Sequence, residues 1–308
     1  MTHKNLKLHR FLLPVLLFFG FVAHSQQESQ YTQYMYNTQS FNSAYTGTRG
    51  SLSMIGLYRN QWVGIDGAPE TLNFAIQSPV GIQGVSLGMG FTSDKIGPSS
   101  ESNVSADFAY VIRVSENAEL SFGIKGGISL LDLDPNKLLI YDPNDYNLAQ
   151  KNYVTPIVGT GFYLFSDKWY VGLSTPNFLE TNHYNDVRVS TATEKTHLYL
   201  IGGYVFDLSD DVKLKPTILG KAVWGAPAAI DLSVNTLLYE RVTFGLAYRL
   251  GSAVSGLAGF QVNDHIMIGY AYDYETTELS RYNSGSHEIF LRFELGTRLK
   301  AKVNPRFF

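Results

Sequence analysis

Cysteine is absent from all 308 residues, which excludes disulfides and also the lipid-modified N-terminal cysteine of a bacterial lipoprotein. Charge is sparse: Asp, Glu, Lys and Arg together make up 17% of the chain, too little for a disordered or polyionic segment. No long hydrophobic run occurs either. The longest, residues 11–22, is shorter than the roughly 20 apolar residues that a membrane-spanning helix needs. It follows Lys4, Lys7 and Arg10 and precedes Ala23-His24-Ser25, the layout of a secretory signal peptide covering residues 1–25. Three cations and no anion leave with that segment, which takes the formal net charge from −3 to −6. An acidic mature chain makes a nucleic-acid partner unsuitable.

What is present in excess is glycine and aromatic residues, 28 Gly, 20 Tyr and 19 Phe, a composition that favours strands and strand ends over helices. From Ser51 onward apolar residues alternate with small or polar ones. Val85, Leu87, Met89 and Phe91 are separated by Ser86, Gly88 and Gly90. The same two-residue period marks Val104 to Ile112, Leu120 to Leu130, Val242 to Tyr248, Ile266 to Tyr272 and Ile289 to Leu295. About fourteen such segments occur, each near the 9–11 residues with which a tilted strand crosses a hydrocarbon core. Their second face carries Ser, Thr, Gly and charges such as Lys221, Asp231, Arg249, Glu288 and Arg292.

The spacing of the segments adds an independent argument. Connections at 79–83, 115–118, 166–168, 207–211, 238–240 and 262–264 are short. Those between them, at 60–68, 94–102, 132–153, 176–194 and 274–284, are expected to be long, with exceptions at 225–227 and 251–253. An antiparallel meander puts alternate connections on opposite rims, so one rim is tidy and the other elaborate. The expected fold is all-β: an outer-membrane antiparallel up-and-down β-barrel of about 14 strands, preceded by an N-terminal aromatic lead. A soluble sandwich, the competing all-β architecture, mixes hairpins with longer crossovers and fits this regularity poorly. The expected layout is a signal peptide at 1–25 and one domain at 26–308. Within it, 26–49 is a periplasmic or lumenal lead, 50–297 the barrel and 298–308 a periplasmic tail. Tyr270, Tyr272 and Tyr274 suit an interfacial aromatic girdle. Pro216 falls inside a strand and predicts a bulge or a strand end.

Catalytic and metal motifs are weak. Gly84-Val85-Ser86-Leu87-Gly88 matches a serine-hydrolase pattern, but Ser86 sits inside an alternating strand with no helix behind it. His183, His197, His265 and His287 show no ligand spacing. Asp132, Asp134, Asn136, Asp142, Asn144 and Asp145 crowd one loop without the ordered spacing of a calcium site, and Asp-Pro and Asn-Asp are ordinary turn chemistry. No catalytic residue, cofactor or metal is expected. The candidate positions are instead Arg59, Gln61, Trp62, Gly64 and Pro69, which follow the first strand as a structural or partner-binding motif. On the structural alternative Trp62 anchors at the interface and Arg59 pairs with an inner-face carboxylate. On the functional one they contact a partner at the mouth. The lead before this strand and the loop after it are expected on opposite sides of the membrane.

Several motifs together carry a family resemblance: Gln33-Tyr34-Met35-Tyr36-Asn37, Asn42-Ser43-Ala44-Tyr45-Thr46-Gly47, Arg59-Asn60-Gln61-Trp62-Val63-Gly64 with Gly67-Ala68-Pro69, Gly88/Gly90 with Asp94 and Gly97, Ser121-Phe122-Gly123-Ile124, His287-Glu288-Ile289, and Asn304-Pro305-Arg306-Phe307-Phe308. The chain resembles the PorP/SprF family, membrane proteins of the type IX secretion system of Bacteroidota. Ser43 departs from it, since the family commonly has proline there. The resemblance implies a non-enzymatic outer-membrane component that supports secretion or surface attachment of large adhesins and gliding proteins by docking their C-terminal domain. Its expected partners are that adhesin domain, other type IX secretion components and outer-membrane lipid. The alternative function is an outer-membrane channel or hydrophobic-solute transporter.

Overall fold

The computed structural model describes residues 30–134, 151–179, 195–223 and 226–295. The expected signal peptide, Asn136, Asp142, Asn144 and Asp145 of the acid-rich loop, His183 and the expected tail lie outside the described residues.

Period-two alternation becomes strand throughout: β1 (Leu52–Asn60), β2 (Glu70–Pro79), β3 (Val85–Ile96), β4 (Ser99–Arg113), β5 (Glu119–Leu133), β6 (Lys151–Phe165), β7 (Trp169–Thr175), β8 (His197–Tyr204), β9 (Phe206–Asp207), β10 (Val212–Val223), β11 (Ala229–Leu238), β12 (Val242–Arg249), β13 (Ala253–Gln261), β14 (Ile266–Glu275) and β15 (Ser286–Leu295). Each pairs antiparallel with its sequence neighbours, except that β8 pairs with β10 rather than with the two-residue β9, and β1 pairs with both β2 and β15. The sheet therefore closes into a barrel of 14 strands, because β9 only continues β8. Closure removes the exposed edges that would otherwise carry unpaired backbone groups into lipid.

The break between β8 and β9 has a local cause. Pro216 stays in register opposite Val234 of β11, with no bulge. On the other side the ladder lapses at Tyr204 and Val205, opposite Pro216 and Lys215. A residue without an N–H cannot complete that rung, so the expected bulge is instead an interrupted neighbour.

Side chains sort by parity. Leu72, Phe74, Leu87, Met89, Phe108 and Tyr110 are exposed on the outer face, and so are Tyr270 and Tyr274 near the rim of β14. Asn73, Gln77, Asp107, Ser121, Lys125 and Arg292 are buried inside. Turns at 80–84, 114–118, 166–168, 208–211, 239–241 and 262–265 form the short-turn rim. The opposite, long-loop rim carries 61–69 and 276–285, and the connections leading from β5 and β7. One expected long connection, at 94–102, is absent. β3 and β4 run on to a tight turn at Gly97 and Pro98, with Gly97 at φ 55°. The polar stretches around Asp94 and Glu101 are therefore strand, and β4, β5 and β6 reach 15 residues each.

The apolar core lies within the barrel and is built around residues 30–49. Tyr34, Tyr36, Phe41 and Tyr45 of this lead pack against inward-facing Phe290, Tyr199 and Tyr163.

Candidate functional site

The lead supplies the centre of the site. It is almost wholly buried from Tyr31 to Thr48, and its contacts trace a path down the lumen from the long-loop end to the short-turn end. At the long-loop end Arg59 of β1 forms ion pairs with Asp273 of β14 at 2.7 Å and with Glu288 of β15 at 3.1 Å. Thr32 joins them. Its hydroxyl donates to Asp273 and accepts from Arg59 at 3.0 Å. The backbone N–H groups of Thr32 and Gln33 donate to the two oxygens of Glu288 at 2.9 and 2.8 Å. One guanidinium thus serves two buried carboxylates, and two amides of the lead complete the hydrogen bonding that burial demands.

Lower down, the Tyr34 hydroxyl lies 2.8 Å from Thr217. The Gln39 amide donates to Asp107 at 3.0 Å, and Lys125 donates to the Ser40 carbonyl at 2.8 Å. Asn42 then caps the 3-10 turn Ser43–Tyr45 by accepting from the Ala44 N–H at 3.0 Å, while its amide donates to the Phe162 carbonyl at 3.2 Å. Ser43 takes the first position of that turn, which proline also suits, so its departure from the family pattern is accommodated.

The wall beside this turn is glycine because nothing larger fits. A Cβ on Gly123 would lie 2.1 Å from the Ala44 nitrogen, and one on Gly161 would lie 2.2 Å from Asn42 Oδ1. Near the short-turn rim the Gly47 N–H donates to Gln77 at 2.7 Å, and Arg49 pairs with Glu294. Ser86 of the hydrolase-like motif lies beneath Gly47, where a Cβ would meet its Oγ at 1.9 Å. It is buried in a strand that leads into another strand.

The five candidate positions separate. Arg59 is buried in the lumen. Gln61 and Pro69 close the first loop through the Gln61 N–H and the Pro69 carbonyl, at 2.9 Å. Trp62 adopts φ 48°, donates its indole N–H to Glu275 at 3.0 Å and receives no strand partner on β1. Gly64 is exposed at φ 102°. Val63 exchanges backbone hydrogen bonds with Gly285 and Ser284, so this loop is tied to the 276–285 loop.

The expected separation of the lead motif from the Arg59 motif does not hold. Gln33 and Arg59 meet on the same carboxylate, Glu288, because the lead runs through the lumen to the end where Arg59 projects. Asp273, Glu288 and Gly161 were not foreseen as partners of the lead. Inner-face charge and glycine on the strands were visible, but their partners lie far away in sequence.

Above the lead, on the long-loop side, is a cavity of about 480 Å³. Asp94, Glu101 and Asp107 line one wall, Lys195, Lys221 and Tyr199 another, and Tyr31, Tyr34 and Phe41 of the lead lie at its base.

A barrel with a threaded, family-like lead invites comparison with known proteins. The family described as type IX secretion system membrane protein PorP/SprF matches residues 23–293. The chain belongs to this family. It is thus a membrane component of type IX secretion, built as an outer-membrane β-barrel. No curated protein sequence matches the chain. Among solved structures, the outer membrane protein Omp33 of Acinetobacter baumannii is 7% identical, with 80% of this chain and 98% of that one covered and a TM-score of 0.48. The CymD monoaromatic hydrocarbon channel is 11% identical, with 79% and 86% covered and a TM-score of 0.47. A Pseudomonas aeruginosa FadL homologue is 9% identical, with 88% and 99% covered and a TM-score of 0.44. In this PorP/SprF protein Gln33, Asn42, Arg59 and Gly123 of the quoted motifs all lie at the seated lead, and Gln61 and Pro69 close the first loop.

Proposed function

We propose that this PorP/SprF protein is a non-enzymatic docking component, supporting secretion or surface attachment of large adhesins by holding their C-terminal domain at the long-loop face. The observation that carries the reading is the filled lumen. A lead fixed at both ends by Glu288 and Glu294, and bedded on Gly123 and Gly161, occupies the path that a diffusing solute would need. A barrel that gives its interior to its own chain has its loops and mouth left for recognition. On this reading the long-loop rim is extracellular, and the signal segment is cleaved after export.

Deleting the gene should abolish surface display of the partner adhesin while leaving outer-membrane permeability to small dyes unchanged. Normal adhesin display in the deletion strain would sink the docking role. The alternative, a channel or hydrophobic-solute transporter, draws support from the cavity of about 480 Å³. Recordings in a planar bilayer separate the two: steady conductance from the intact protein favours the channel.

A further inference from the structure

The cavity above the lead is chemically lopsided. Its β3–β4 wall presents Asp94 and Glu101, and both are served only by neutral groups. Asp94 accepts from the Thr71 hydroxyl at 2.5 Å, and Glu101 accepts from the Asn103 amide at 3.1 Å and the Ser129 hydroxyl at 3.0 Å. Among the described residues no cation lies within ion-pairing distance of either carboxylate. Two further acceptors belong to the same lining. Asn73 and Gln39 are each 2% exposed, and neither Asn73 Oδ1 nor Gln39 Oε1 receives a hydrogen bond. Four acceptor groups thus share one side of the cavity; the cation on that side, Lys125, is committed to Asp107 and to the Gln39 and Ser40 carbonyls and, among the described residues, ion-pairs with neither Asp94 nor Glu101. Lys195 and Lys221 stand on the β8–β10 side, four to six places away in the strand order and so across the lumen.

We propose that this cavity receives a cationic, donor-rich nitrogen group: the guanidinium or ammonium of a basic side chain on an extended polypeptide segment entering from the long-loop side. The inference rests on the docking role and names what the docked chain presents. A guanidinium supplies several N–H donors and one positive charge, which answers the carboxylates of Asp94 and Glu101 and the bare amide oxygens together. Lys195 and Lys221 repel the same group, while Lys125 and Asp231, which also line the cavity, are each engaged in an ion pair, with Asp107 and Arg249, so attraction is left mainly to Asp94 and Glu101. The aromatic base of Tyr31 and Phe41 gives the aliphatic stem of such a side chain an apolar surface.

The same nitrogen chemistry occurs in a free polyamine, and the experiment separates the two sources. Full-length protein in mild detergent is titrated, by fluorescence anisotropy, into a labelled Gly-Ser peptide bearing one Arg, and into matched peptides bearing Gln or Glu. Spermidine and free arginine serve as competitors. The Arg peptide should bind at least about tenfold more tightly than the Gln peptide, as a charge-assisted contact implies. The Glu peptide should not bind, and added salt should weaken the Arg complex. The near-isosteric pair Asp94→Asn with Glu101→Gln should erase the preference for Arg. Unchanged mobility on unheated gels shows that this variant is folded. Lys221→Gln, on the opposite wall, keeps or strengthens binding and provides a second, independent variant. Equal binding of the Arg and Gln peptides, indifference to the Asp94/Glu101 pair, or binding of spermidine with no binding of the peptide overturns the proposal. If the paired variant also displays adhesin normally in cells while the gene deletion does not, the cavity inference falls and the docking role stands.

Discussion

Two stretches of the lead, its start at Thr32–Gln33 and the turn at Asn42–Ala44, are held by different physics. At the long-loop end, Thr32 and Gln33 are gripped by charge: Arg59, Asp273 and Glu288 form a buried set linked through hydrogen bonds of 2.7 to 3.1 Å. Near the other end, Asn42 to Ala44 are held mainly by shape, against glycines whose missing side chains leave the room the turn occupies. Ion sets of the first kind gain little net stability over an apolar replacement, yet are costly to break by halves. Close packing of the second kind tolerates neither more volume nor less. The difference teaches that the start of the lead is sensitive to a missing charge and its Asn42–Ala44 turn to a single added carbon.

Substitutions can break this contrast. Arg59→Met should have the largest effect, about 3–5 kcal/mol of barrel stability, because Asp273 and Glu288 remain buried without their cation. The check is the urea midpoint of the compact form on unheated gels. Gly123→Ala should cost about 1–3 kcal/mol by overpacking against Ala44. If it exceeds Arg59→Met, the charged end is the weaker constraint and the comparison inverts. Asn42→Ala removes both the turn cap and the donor to Phe162 and should cost about 0.5–2 kcal/mol. Protection of the lead from protease reports it more directly than global unfolding does. The smallest change is expected from Trp62→Phe, about 1 kcal/mol, through loss of the indole hydrogen bond to Glu275. That loss should appear as faster proteolysis in the first loop, with the lead unaffected.

The barrel was legible in the sequence because alternation is local, and each strand states its two faces within ten residues. The strand count and the tidy rim followed from the same signal. The connection at 94–102 was misjudged because polar residues such as Ser93, Asp94 and Ser102 look like loop once they no longer face lipid. They continue as strand because their partners across the ladder do, with Thr71 opposite Asp94 and Leu130 opposite Ser102. The path of the lead could not be read. It has no period, and its anchors Asp273 and Glu288 lie 241 and 256 residues from Thr32. Arg59 announced a carboxylate partner, but not that the lead would share it. The glycines at 123 and 161 were visible only as strand residues until Asn42 and Ala44 were seen against them.

The position of Glu288 and Asp273 on the last two strands bears on how the molecule is made. β15 is also the strand that meets β1 to close the barrel. The carboxylates that fasten the start of the lead therefore sit at the seam, with Arg59 directly opposite Glu288 in the ladder. A chain truncated before β14, or paired out of register at the seam, lacks the fastening altogether. Seating of the lead thus depends on β14 and β15 being present and in register with β1.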